Sequence, residues 1–546
     1  MQDMVKNKTT VFALLGLLLM LSFAASGQAT VQLPRPALTP TTQPSTQPAG
    51  LVVAQRIAWR YSTDGGKTFA AAAPVIESTQ TVEVLARATF DAKPAKEWLC
   101  LELATGVDPA WQQGWTLNGQ AVEKPLKDMN YRRLPGLPTS LVKEGANTLE
   151  AKLKITNGGK KAVTLDMSAV QLRALRGLNV IVSDVVMGWA DEKTFTLTCR
   201  TNAPVAVSLT GQDRKLDGIQ SGYSDFRGRE GVAWSPAGLF HRFVVKRSEA
   251  SPELRLQAEV TTGLAFVQPM AIPPAPDGEV LWFAIVGDCR TGVGIWKDIA
   301  DDLAKAKPQF VVHTGDVVTA GANEWEWHEQ FVGPAAELFA TVPLYCVRGN
   351  HEGKSPLYDL TINSPGKTGT DNNWFQLVGP VLMIGIDGAD GWTASGERMK
   401  WLAEVLDKNA AKAKFIFLFT HYPPWTSGVH GTLARDGKPF EPALRNAQAN
   451  IMPLLARYKA TAVIAGHDHF YERSEPADGV AVIISGGGGA ELRDKAPDAA
   501  RQNPYSKVWQ KVNHYCLVKV DGETCTLTAL TVDGKEIDKV TWKARK

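Results

Sequence analysis

From about residue 280 onward, short wholly apolar runs alternate with stretches whose apolar positions recur every third or fourth residue. "LWFAIV" precedes "GIWKDIADDLAKA", and "QFVVH" precedes "EWEWHEQFVGPAAELF". "PLYCV", "FIFLFT", "TAVIA" and "VAVIIS" continue the first pattern, and "GERMKWLAEVLDKNA" and "PALRNAQANIMPLLARY" the second. Apolar runs of this kind fit strands buried on both faces, while the wider spacing marks one face of a helix. Their alternation predicts an α/β domain with largely parallel strands over 276–546. Upstream the period drops to two. "TVEVLARATF", "EWLCLELA", "GWTLNGQAV" and "NTLEAKLKI" predict an all-β sandwich domain over 51–180. "TFTLTCRT", "VAVSLTG", "HRFVVKR" and "ELRLQAEV" predict a second, seven-strand-type sandwich over 181–275, closed by the Pro-rich "AIPPAPDGE". The fold class is therefore multidomain: N-terminal all-β sandwiches followed by an α/β domain.

The N-terminus adds an address. Residues 1–29 carry Lys6 and Lys8, the apolar core "VFALLGLLLMLSFAA" and the small residues "SGQA", the layout of a cleaved export signal. That core is shorter than the ~20 residues a membrane-spanning helix needs. Cleavage would leave no transmembrane helix, so a periplasmic or extracellular location is expected. Residues 30–50 are rich in Pro, Thr and Gln and read as a linker. Net charge is +3 with no long basic run, which gives no nucleic-acid-binding signature. Six cysteines in 546 residues do not make a disulfide scaffold. A hairpin turn at Asp521-Gly522 in "CLVKVDGETC" would not set Cys516 opposite Cys525.

The chemistry lies just after the buried strands. "LWFAIV" is followed by "GDCR", "QFVVH" by "TGD", "PLYCV" by "RGNHE", "FIFLFT" by "HYPPW" and "TAVIA" by "GHDHFYER". In open α/β sheets functional groups gather outside the carboxyl ends of strands. Successive strand ends deliver Asp288, Asp316, Asn350 with His351, His421, and His467 with His469. These are oxygen and nitrogen donors suited to metal ions. His313, inside its strand, reads as a packed residue. His241, His430 and His514 have no local context that raises them, and "GANEWEWHEQ" reads as mostly exposed helix.

The ordered motifs "GD", "GD", "GNHE", "H" and "GHDHFYER" resemble the calcineurin-like metallophosphoesterases, and within them the purple acid phosphatase branch. The resemblance covers about 281–546, and the preceding segment resembles the β-sandwich in front of that branch's catalytic domain. It implies two mixed sheets packed face to face with helices outside. It also implies two metal ions (Fe, Mn or Zn) and hydrolysis of phosphate mono- or diesters by a metal-bridging hydroxide. By the resemblance, Asp316 bridges the metals, and Asn350, His421 and His467 complete one site. Asp288 and His469 bind the other metal, and His351 protonates the leaving alkoxide.

The match departs at two positions. The superfamily carries Asp-x-His at the first motif, and the purple branch instead places a tyrosine three residues after the bridging aspartate. Here those positions hold Arg290 and Thr319. Arginine stays protonated and cannot ligate, but its planar fork suits phosphate. Arg290 is therefore a candidate substrate clamp, or else the partner of a nearby carboxylate. Residues 51–180 resemble the jelly-roll domains beside many glycoside hydrolases, and "STDGGKTF" resembles a single Asp-box turn. That resemblance implies glycan contact, with a spacer as the alternative. The competing function is a non-catalytic glycan- or surface-binding protein with a degenerate metallophosphoesterase domain.

Overall fold

Strict alternation builds the first sheet. In Thr81–Ala92 the side chains of Val84, Ala86, Ala88 and Phe90 point inward, and the antiparallel Gly145–Thr156 answers with Leu149, Ala151, Leu153 and Ile155. Trp59–Ser62, Gln112–Leu117 and Gln120–Val122 complete five strands, and Trp59 meets Trp115 edge-on at 5.9 Å. The computed structural model describes residues 51–546 apart from short stretches, the longest being 134–140, 224–238, 363–371 and 389–395. The expected export signal and linker lie outside the described residues. Among the described residues no helix is long and apolar enough to cross a membrane.

The next segment forms two four-stranded antiparallel sheets. One contains Val182–Ala190, Thr194–Thr201, Leu239–Lys246 and Ile219–Tyr223, and the other Arg214–Asp217, Ala206–Gly211, Arg255–Val260 and Gly263–Pro269. Phe195, Leu197 and Phe243 of the first share a core with Val207, Leu209 and Leu256 of the second. Among the described residues eight strands stand where seven were expected, because the chain doubles back at Arg214–Asp217 before reaching Ile219–Tyr223.

After residue 280 two mixed sheets follow. The six-stranded sheet runs in the order Leu344–Cys346, Val311–His313, Val280–Val286, His514–Asp521, Thr524–Thr531 and Glu536–Lys543, with the first three parallel. The seven-stranded sheet centres on the parallel strands Val381–Gly385, Phe415–Phe419, Ala462–Ala465 and Ala481–Ser485. Phe283, Ile285 and Val312 of one sheet share a core with Phe417, Phe419 and Ile464 of the other. The outer face of the first sheet packs on Val293–Ala306 through Trp296, Ile299 and Leu303, and that of the second on Gly396–Asn409 through Leu402 and Leu406. Because both faces of these strands are buried, their sequences are continuously apolar rather than alternating.

The β segment 181–275 is bonded to this α/β part. Tyr345 donates its hydroxyl hydrogen to the Ala190 carbonyl, and Thr198 Oγ1 donates to the Thr361 carbonyl at 3.0 Å. Val186 and Phe240 join the same core as Trp327 and Phe331. Cys516 lies opposite Ala529 and Cys525 opposite Val520, and both thiols are free, as the turn geometry requires.

Candidate metal centre

The strand ends converge as their order suggested. Asp288, Asp316 and His467 each sit at the first bend after a strand with φ of 57°, 56° and 72°. Left-handed backbone is uncommon for non-glycine residues and gathers at functional sites. Glycines make room for the carboxylates. A Cβ at Gly466 would lie 2.2 Å from Asp288 Oδ2, and one at Gly349 would lie 2.3 Å from Asp316 Oδ1.

Two donor groups result, sharing Asp316. In the first, ligand atoms of Asp288, Asp316 and His469 all lie within 4.8 Å of one another. In the second, His421 Nε2 stands 3.3 Å from Asp316 Oδ1, 3.0 Å from Asn350 Oδ1 and 3.1 Å from His467 Nδ1. Bonds on the far side of each ring fix its tautomer. His421 Nδ1–H donates to the Thr314 carbonyl at 2.9 Å, and His469 Nδ1–H to the Glu491 carbonyl at 2.7 Å. His467 Nε2–H donates to Glu441 Oε1 at 3.1 Å. The lone pairs of His421 Nε2 and His469 Nε2 are thereby turned toward Asp316 and Asp288, and that of His467 Nδ1 toward His421 Nε2. The same outer bonds orient metal-ligating histidines in general.

Electrostatics points the same way. Burial lowers the pKa of all three histidines, His467 to about 4 and His469 to about 3, which keeps them neutral. Burial and then the charge of Asp316 push Asp288 well above the usual carboxylate range. Asp316 is also penalised by burial, but His421, His351 and Arg290 outweigh this and hold it at about 2. Burial and Asp316 raise Glu352 to about 7. Three acids are thus buried together. His469 Nε2 is also buried, 3.6 Å from Asp288 Oδ1 and without a hydrogen bond. A pair of cations would resolve both conditions, so this donor set fits two metal ions.

Arg290 and His351 border this centre. Arg290 Nε lies 3.3 Å from Asp316 Oδ2, so the arginine does pair with a carboxylate, and that carboxylate is at the heart of the site. His351 Nδ1–H donates to the Thr319 carbonyl at 2.6 Å, and its Nε2 faces Asp316 Oδ2 at 3.8 Å. Thr319 turns to Gln330 and not to the carboxylates. Its N–H and hydroxyl both donate to Gln330 Oε1, at 2.9 and 3.1 Å.

The loop that carries Asp316 is clamped. Glu352 Oε2 accepts the N–H of Asp316 at 3.0 Å and of Gly349 at 2.6 Å, and its Oε1 accepts those of Val317 at 2.7 Å and Val318 at 3.3 Å. Gln330 takes the N–H of Thr319, and Glu326 takes that of Ala320 at 2.7 Å. Five successive backbone donors therefore end on side chains. This overturns the expectation that "GANEWEWHEQ" is mostly exposed: Glu324, Glu326 and Trp327 are buried, because this stretch serves the loop and the neighbouring β segment.

Other residues resolve similarly. Arg348 is buried in a two-bond pair with Asp387, at 3.0 and 2.6 Å. Glu472 takes the N–H of Ser427 at 2.8 Å, and Arg473 pairs with Asp538 at 2.6 Å, so both are supports. His313 is packed between Trp296 and Phe331 as expected, and Cys289 is buried. His430 rises above background. Its ring lies 3.8 Å from that of His467, and its Nδ1–H donates to Glu441 at 3.2 Å. Glu352, Glu441 and Gln330 were missed as contributors. Only Glu352 carried a signal, since it closes the "GNHE" motif.

Residues 281–471 match the family model of the calcineurin-like phosphoesterases. The chain is 23% identical over 331 residues to human tartrate-resistant acid phosphatase type 5, covering 52% of this chain and 97% of that protein. It is 28% identical over 179 residues to the probable glycerophosphodiester phosphodiesterase GpdQ of Arcobacter nitrofigilis, covering 30% of this chain and 58% of that one. The structure of purple acid phosphatase PPD1 from yellow lupin seeds shares the fold, with a TM-score of 0.55 at 15% identity over 85% of this chain and 93% of that one. The segment 281–471 is thus a calcineurin-like phosphoesterase domain, which makes the chain a metal-dependent phosphoesterase. Within that superfamily its likeness is to the purple acid phosphatases.

Proposed function

We propose that the chain is an exported binuclear phosphoesterase acting on phosphate mono- or diesters. The observation that carries this reading is the set of three neutral histidine rings, each anchored at its outer nitrogen, whose free nitrogens face Asp316 (His421), Asp288 (His469) and the His421 nitrogen itself (His467). In this reading Asp288, Asp316 and His469 hold one ion. Asp316, Asn350, His421 and His467 hold the other. Fe, Mn and Zn all suit such donors. When bound, two such ions polarise the phosphoryl group and acidify a water they share.

The chain's own residues supply orientation and protons. His351 gives its Nε2 proton to the departing alkoxide, which is otherwise a poor leaving group. Arg290, tethered to Asp316 through Nε, offers its terminal nitrogens to a non-bridging phosphate oxygen. The clamped 316–320 loop keeps the shared carboxylate in place as charge builds up. The division into 51–180, 181–275 and 276–546 belongs to the same reading, with the last segment catalytic. An acid phosphatase and a glycerophosphodiester phosphodiesterase among the relatives support esters of either class as substrates. The intact donor set favours this reading over the non-catalytic alternative.

The test is elemental analysis of the mature chain, purified without chelating resin, together with phosphate release from p-nitrophenyl phosphate and its bis ester. About two metals per chain with turnover is the expected result. One metal or none after addition of Mn, Fe and Zn, with no phosphate release, overturns the proposal and moves the binding-protein alternative ahead.

A further inference from the structure

We propose that Gln330 is a positioning residue for His351, acting through Thr319. The inference rests on the reading of His351 as the proton donor. A histidine that protonates a leaving oxygen from Nε2 must aim that N–H in one direction and be left as the Nδ1–H tautomer afterwards, so its Nδ1–H has to be held. Here His351 Nδ1–H is held at 2.6 Å by the Thr319 carbonyl. That carbonyl belongs to a residue whose N–H and hydroxyl both end on one atom, Gln330 Oε1. Removing that atom frees the 318–319 peptide and the Thr319 side chain, and leaves the peptide that carries the carbonyl held at its far end alone, by the Ala320 N–H on Glu326 at 2.7 Å.

Gln330 is itself held rigidly. It lies in the π-helical turn Trp327–Val332, a form that often marks functional positions. Its neighbours Trp327 and Phe331 are buried in the core against Trp296 and Tyr358. From the β segment, Arg200 reaches Glu324 at 3.3 Å and Asp184 at 3.3 Å, and Asp184 in turn bonds His328. The helix that sets the His351 ring is therefore pinned to the sandwich of residues 181–275, which gives that sandwich a stake in the active-site geometry. Thr319 occupies the position where the purple branch has its tyrosine. In this network the threonine serves the site through its backbone, which orients the acid.

The test uses the full metal-loaded chain, two esters and two variants. Gln330→Leu removes the acceptor, and Gln330→Glu keeps it. In Gln330→Leu, kcat for an alkyl phosphate, which needs the proton, should fall ~10–100-fold. For p-nitrophenyl phosphate, whose leaving group departs unaided, kcat should fall less than ~3-fold, with KM little changed for both. Gln330→Glu should bring the alkyl rate back to within ~3-fold of wild type. Equal losses for both esters, or no loss for either, overturn the proposal. If Gln330→Leu does not fold, Thr319→Val, which deletes one of the two bonds to Gln330, should give the same ordering with a smaller gap, and no gap overturns the idea. A second readout needs no turnover. In metal-free protein labelled with 15N-histidine, the His351 signal, assigned by its loss in His351→Gln, should report the Nδ1–H tautomer in wild type and a tautomer mixture in Gln330→Leu. An unchanged tautomer overturns the proposal. If wild type with two metals hydrolyses neither ester, the phosphoesterase reading fails by itself, and the tautomer readout alone decides the role of Gln330.

Discussion

Glu352→Gln isolates the clamp on the Asp316 loop. The wild-type carboxylate accepts four backbone N–H groups, two on each oxygen. Glutamine has nearly the same shape but only one oxygen. Its amide nitrogen would face either the pair Asp316 and Gly349 or the pair Val317 and Val318, donor against donor. Leaving two buried N–H groups unpaired costs roughly 1–3 kcal/mol each, or about 2–6 kcal/mol in total. A transition in a domain of this size moves by about 2–4 °C per kcal/mol, so a fall in Tm on the order of 10 °C is expected. The assay is calorimetry of the metal-free chain, where the transition of the α/β part is compared between variant and wild type. Metal content is measured on the same preparations, because the loop carries the shared ligand, and it should fall below two per chain. A variant that melts within about 2 °C of wild type and retains full metal would refute the idea that Glu352 organises the loop.

Three further outcomes follow from the same geometry. Arg290→Ala should lower kcat/KM for phosphate esters by about 10–100-fold, the worth of a hydrogen bond between charged groups, and unchanged turnover and KM would remove Arg290 from substrate binding. Iron-loaded protein should show no strong tyrosinate band in the visible spectrum, since Thr319 stands at that position with its hydroxyl bonded to Gln330, and a strong band would contradict this. His241 is buried against Thr201 at 2.8 Å, and burial lowers its pKa from 6.5 to about 4. The folded chain thus binds this proton less readily than the unfolded chain, so the stability it contributes is complete above pH 6.5 and lost as pH falls toward 4, by up to about 3 kcal/mol. Urea titrations of wild type and His241→Asn over that range should show a flatter pH slope in the variant, and equal slopes would refute the assignment.

Much of the α/β part was legible because its code is local. A strand buried on both faces must be continuously apolar, and the polar residue that follows it lies outside the strand's carboxyl end. Asp288, Asp316, Asn350, His421, His467 and His469 could be picked out on that rule with the motif order, and the structure brings them together. The residues that were misjudged are those whose partners are remote. Glu324 and Glu326 look like the solvent face of a helix, and their burial follows from Arg200 in another segment and from the N–H of Ala320. His430 has no neighbours in sequence that suggest a role, and it acquires one because the chain folds its ring over His467.

The sequence by itself determined which atoms are available: six donors of ligand type, one arginine and one threonine where the family resemblance implies other residues, and the glycines that let the carboxylates approach. Those are properties of single residues and short motifs, which survive in any conformation. Only the tertiary structure decided which nitrogen of each histidine is free, that Arg290 reaches Asp316, and that Thr319 is turned away toward Gln330. Each of these is fixed by a hydrogen bond or ion pair between segments distant in the chain. Such a bond is selected by burial, where an unpaired polar group is too costly to leave, and not by anything local.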